Sequence, residues 1–142
     1  YQHHIYRDQL DGIKRIIASL LPYKDRYHVY LRIHPNLATI DNELRPLLAL
    51  TSENLTTILP TDKTSSYALI QQADKVVTFG STVGIEAPFW DKPSILGGKA
   101  LYQNLGSTYN PQSHDELLAL LLEENLPPKN KVGALKYGYF YN

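Results

Sequence analysis

Val76-Val77-Thr78-Phe79-Gly80-Ser81-Thr82-Val83-Gly84-Ile85-Glu86-Ala87 is the stretch on which the fold turns. A β-branched run stops at a Gly-Ser-Thr turn and restarts as a helix, which is a strand feeding a helix. Such a turn gathers backbone N–H groups and two hydroxyls at a helix N-terminus, where an anion is favoured. Glu86, on the first or second turn of that helix, is placed to bond vicinal ribose hydroxyls, as acidic residues do in other nucleotide sites. The stretch points to a nucleotide or nucleotide-sugar phosphate site. Each residue also has a plainer use. Ser81 and Thr82 suit an ordinary N-cap, Gly80 and Gly84 a turn and close helix–strand packing, and Glu86 a helix-dipole carboxylate. The stretch is not a GxGxxG fingerprint and lacks the lysine of a P-loop. Nor is it GxSxG, because no glycine stands two positions after Ser81, so a triad of Ser81, His34 and an Asp has no motif behind it.

Working outward, the same alternation recurs. Apolar positions at Ile5, Leu10, Ile13, Ile16, Ile17, Leu20 and Leu21 predict a helix over 5–21, closed by Pro22. Residues 27–33 are β-branched and aromatic and predict a strand bounded by Pro35. A helix over 37–50, broken or kinked by Pro46, leads to a short strand over 55–59. Residues 65–73 suit a helix capped by Thr64 or Ser65. Strand 75–79 and helix 83–90 follow, with Phe89 and Trp90 expected inside. A turn at Asp91-Lys92-Pro93 enters an extended segment at 94–97. Ser113 caps a further helix whose first turn holds Asp115 and Glu116, and 131–142 suggests a final tyrosine-rich helix. Strands alternating with helices through short loops predict an α/β fold, a Rossmann-like doubly wound parallel sheet with helices on both faces.

In such sheets ligands bind beyond the carboxyl ends of the strands. Two polar clusters fall there: Gly80-Ser81-Thr82, and Arg32-Ile33-His34-Pro35. Strand alternation puts Arg32 and His34 on one side, and Pro35 holds His34 extended. An imidazole fixed at a strand end can donate to a phosphate oxygen and stabilise a leaving group without a metal. The alternative is a surface histidine at a strand-to-loop turn.

Composition narrows the classes. The 142 residues are one domain's worth of chain, and 14 basic against 14 acidic residues with no basic block argue against nucleic acid as a partner. No run approaches the ~20 apolar residues of a membrane span. With no cysteine there is neither a disulfide framework nor a thiolate metal site. His3-His4 at the chain start suits a frayed end better than a metal site, so no metal is expected. The chain has no methionine and starts at Tyr1, which suggests a segment of a larger protein.

The order of elements resembles the C-terminal, donor-binding half of a GT-B glycosyltransferase, most of all bacterial capsule and surface-polysaccharide biosynthesis proteins of the capsule Kdo-transferase type. Arg32-Ile33-His34-Pro35, Ser66-Tyr67-Ala68-Leu69-Ile70, Ala73-Asp74-Lys75-Val76-Val77, Ser81-Thr82-Val83-Gly84-Ile85-Glu86-Ala87 and Lys92-Pro93-Ser94-Ile95 carry the resemblance, which covers residues 27–122. It implies that His34 is catalytic and that Arg32, His34, Gly80, Ser81 and Thr82 hold the donor phosphate. Glu86 and Gly84 would serve the ribose, and Gly98, Lys99 and Tyr102 would lie near the donor's base or sugar. The nucleotide-sugar, with a CMP-linked donor among the candidates, is then substrate, and no cofactor is implied. The implied partners are a saccharide or lipid-linked acceptor and an N-terminal Rossmann-like half beyond this segment. Residues 1–142 would then be a single nucleotide-sugar-binding domain, not catalytically complete alone, cytoplasmic or peripheral to the inner membrane. The same scaffold also serves sugar-nucleotide epimerases and polyol-phosphate transferases. A non-catalytic interaction domain, with clusters that are only caps and turns, is the remaining alternative.

Overall fold

The computed structural model describes residues 5–33, 41–59, 61–81 and 83–130. His34, Pro35, Thr82 and the helix expected over 131–142 lie outside the described residues. The chain is α/β, a Rossmann-like succession of parallel strands and helices, and it divides into two compact units. One unit is residues 10–63; the other combines residues 1–9 with 64–142.

The 10–63 unit is built on α1 (Gln9–Leu20), whose buried Gly12, Ile13, Ile16, Ile17 and Leu20 form the apolar stripe that the sequence spacing predicts. A 3-10 turn (Leu21–Tyr23) carrying Pro22 ends the helix. Strands β1 (Val29–Arg32) and β2 (Leu55–Ile58) pair in parallel, from Val29 opposite Leu55 to Arg32 opposite Ile58. Between them runs α2 (Asp41–Leu48), which carries Pro46 in its interior instead of stopping there. Asn54 is fully buried and holds α1 to the strands: its side-chain amide donates to the Ile17 carbonyl at 3.0 Å, and its own carbonyl accepts from Val29 N–H at 2.8 Å. Burying that amide is tolerable because both its ends are bonded, Nδ2 to the Ile17 carbonyl and Oδ1 to the Ser52 hydroxyl, which donates to it at 2.5 Å.

In the second unit, α3 (Ser66–Gln72) is capped by Ser65, whose hydroxyl accepts from the N–H groups of Tyr67 and Ala68. Strands β3 (Val76–Thr78) and β4 (Ser94–Leu96) pair in parallel across α4 (Val83–Phe89). Tyr109 extends the pairing beside Ile95, through Leu96 N–H to its carbonyl at 2.9 Å and its N–H to the Ser94 carbonyl at 2.8 Å. All three residues of β4 are buried, as in a strand covered on both faces. Finally α5 (His114–Leu122) starts at the Ser113 cap and packs Leu117 and Leu121 inward. The Lys75 ammonium donates to the Leu121 carbonyl at the α5 C-terminus, where the helix dipole favours a cation.

Two expectations change. The first helix starts at Gln9, not at residue 5, because Tyr6 is drawn elsewhere: its hydroxyl meets His114 Nδ1 at 2.7 Å and its ring meets the Phe79 ring edge-on. Phe89 and Trp90 do not pack inside. They are 46% and 39% exposed, because the buried face of α4 is already taken by the small or compact residues Gly84, Ile85, Ala87 and Pro88.

Candidate functional site

The turn after β3 is shaped by a glycine and fastened by carbonyl groups. Gly80 has φ of 116°, a conformation that other residues rarely adopt. Ser81 follows, exposed, and its hydroxyl accepts from Val83 N–H at 3.3 Å as α4 begins. The Ser81 carbonyl points the other way, accepting from Gly84 N–H at 3.0 Å and from the Tyr102 hydroxyl. No described residue accepts from the N–H of Gly80 or Ser81. The Ser81 carbonyl is thus engaged while the N–H groups of Gly80 and Ser81 are open, which is the polarity an anion needs.

Gly84 has a packing reason of its own. A Cβ there would run into the Tyr102 hydroxyl and lie 2.6 Å from Thr78 Oγ1. The helix can approach β3 only because the position lacks a side chain. The Gly84 carbonyl accepts from the hydroxyl of fully buried Ser94 at 2.6 Å, tying α4 to β4. Gly97 is similarly constrained, since a Cβ would come within 2.7 Å of the Phe79 ring.

Glu86 sits in the first turn of α4, half-buried, and burial raises its carboxyl pKa above the ordinary value. No hydrogen bond or ion pair joins it to a described residue. Of the residues expected near the donor's base or sugar, Gly98 is buried and Lys99 exposed. Tyr102 is 1% exposed, with its hydroxyl committed to the Ser81 carbonyl.

Arg32 belongs to the other unit, as the last residue of β1. Its Nε and Nη1 are buried and have no hydrogen-bond partner among the described residues. Guanidinium N–H groups without acceptors cost roughly 1–3 kcal/mol each, so buried ones are uncommon without a functional cause. His34 and Thr82 are outside the described residues.

Gly80, Ser81, Gly84 and Tyr102 therefore come together, and Glu86 stands one turn along the same helix. Sequence reasoning missed Thr78 and Ser94, whose buried hydroxyls hold the turn and the helix. Nothing in a single sequence distinguishes them from ordinary strand residues. A separate groove of about 450 Å³ lies against α5, between Tyr109, Asn110, Pro111, Glu116, Ala119 and Leu120, and none of the expected site residues lines it. Among the described residues no group of three or more His, Asp or Glu side chains could hold a metal ion. Nor is any described helix long and apolar enough to cross a membrane.

A family model described as "Capsule polysaccharide biosynthesis protein" matches residues 1–132. The chain belongs to that family. No curated protein and no solved structure matches it.

Proposed function

We propose that this member of the capsule polysaccharide biosynthesis family is the donor-binding part of a GT-B-type glycosyltransferase, of the capsule Kdo-transferase kind, that takes a nucleotide-sugar. The observation that carries the reading is Arg32: two buried guanidinium nitrogens without acceptors among the described residues, at the carboxyl end of a parallel strand. A phosphate supplies the oxygens such a group lacks, and Arg–phosphate pairs are among the stronger hydrogen bonds in proteins. The open N–H groups of Gly80 and Ser81 support the reading independently.

In sugar transfer the bond from the anomeric carbon to the nucleotide phosphate breaks, and the departing phosphate keeps the electron pair. Donors already aimed at that phosphate stabilise the charge as it develops. Arg32 with His34 is one candidate for this role, and Gly80, Ser81 and Thr82 are a second, each cluster taken within its own unit. No metal is assigned a part. Glu86 accepts from ribose hydroxyls and Gly84 keeps its helix close to β3, while Gly98 and Lys99 lie toward the base or sugar. The acceptor is a saccharide or a lipid-linked saccharide, and the protein works in the cytoplasm or at the inner face of the membrane.

Calorimetric titration with CMP, UDP and GDP tests this. Saturable binding of at least one nucleotide is expected, weakened by His34→Ala and by Ser81→Ala. A protein that binds none of the three contradicts the reading. One observation favours a second role as an interaction module: Tyr67, Phe89 and Trp90 form an exposed ring cluster, with centroids 6.1 and 5.5 Å apart. That role alone predicts indifference to nucleotides.

A further inference from the structure

Tyr102 lies in the segment after β4, far along the chain from the turn it touches. Its ring packs with Ile85 and Leu96 in a buried cluster, and only 1% of its surface is exposed. Its hydroxyl proton goes to the Ser81 carbonyl. The Thr78 hydroxyl, 3.5 Å away, is therefore the donor of their mutual contact. The Tyr102 oxygen also occupies the space that a side chain at position 84 would need. One phenol thus touches the end of β3, the turn and the first residues of α4.

We infer that Tyr102 is the positioning residue of the Ser81 turn: it draws the Ser81 carbonyl inward and so leaves the N–H groups of Gly80 and Ser81 as the turn's unengaged face. The inference rests on the phosphate reading of that turn. Tyr102 does not touch the ligand, because it is buried behind the turn. It acts by removing the alternative orientation in which the carbonyl, an acceptor, would meet an anion. Two hydrogen bonds hold that carbonyl, one from Gly84 N–H within the turn and one from Tyr102 across the core. The second is the one that ties the turn to the rest of the unit.

Tyr102→Phe keeps the ring and its packing and removes only the hydroxyl. Two readouts follow. In nucleotide-free protein, hydrogen exchange at Gly84 N–H, whose acceptor is the same carbonyl, should speed up about tenfold, as the loss of one buried hydrogen bond implies. Binding of CMP, UDP or GDP, whichever the wild type prefers, should weaken about tenfold. Thr78→Val removes the hydroxyl that donates to Tyr102 and should shift both readouts the same way by less, which covers the case of a poorly folded Tyr102→Phe. A merely structural tyrosine would lower the melting temperature and leave affinity within twofold of wild type, and that result overturns the inference. Unchanged Gly84 exchange overturns it too. If the wild type binds no nucleotide, the phosphate reading falls and this inference with it; normal wild-type binding with an indifferent Tyr102→Phe sinks the inference alone.

Discussion

The end of β1 and the turn after β3 are both strand ends of the kind where α/β proteins place ligands, yet their polar groups are in opposite states. Around Ser81 the carbonyls and the buried hydroxyls of Thr78, Ser94 and Tyr102 are bonded. At Arg32 two buried guanidinium nitrogens have no acceptor among the described residues. In the first region only the N–H groups of Gly80 and Ser81 stay open; in the second a buried cation lacks acceptors among the described residues. A satisfied network supplies rigidity and shape, whereas an unsatisfied buried group signals that something outside the chain completes it. The folding cost at Arg32 is then repaid on binding, a division of labour common where function opposes stability.

Three substitutions probe that contrast. The largest effect is expected from Gly84→Ala, in the first region. Its Cβ must displace Tyr102, which is buried and bonded, so unfolding free energy should fall by about 3 kcal/mol in urea titrations. A loss under ~0.5 kcal/mol would mean that the region is looser than described. The next is of opposite sign. Arg32→Met replaces an unsatisfied guanidinium by an apolar chain of similar reach, and should raise unfolding free energy by about 1 kcal/mol. If it destabilises instead, the guanidinium is already satisfied and the contrast breaks down.

The smallest effect belongs to Glu86→Gln and depends on pH. Burial raises the Glu86 pKa above its ordinary 4.5, so folding favours the neutral carboxyl. Its contribution to stability is fully present below 4.5 and lost as pH rises through the raised value. The neutral Gln variant should therefore be slightly more stable than wild type near neutral pH, with the gap closing below pH 4.5. Thermal melts at the two pH values check it. A gap that widens in acid would place a cation beside Glu86 in the folded protein.

How much of this was legible beforehand depended on the range of the interactions involved. The stripe of α1, the caps Ser65 and Ser113, and the strand–turn–helix at Gly80 are local patterns, and they appear where the sequence puts them. Pro46 does not break α2, because one proline near the end of a short helix removes only one hydrogen bond. Phe89 and Trp90 misled because hydrophobicity says that a ring prefers burial, not that the buried face still has room. Residues 5–8 were misread because Tyr6 answers to His114, 108 positions away. At the candidate site the residue types were readable, but the state of each was not. Neither the unsatisfied nitrogens of Arg32 nor the bond from Tyr102 to Ser81 exists until the tertiary structure forms.

Arg32→Met also gives the most direct test of the central claim, when stability and binding are measured on the same protein. Thermal unfolding and calorimetric titration with CMP, UDP and GDP would be run beside wild type. A protein that is more stable and binds its preferred nucleotide roughly 10- to 100-fold more weakly is the predicted result. A variant that binds as wild type does, or a wild type that binds none of the three, would contradict it.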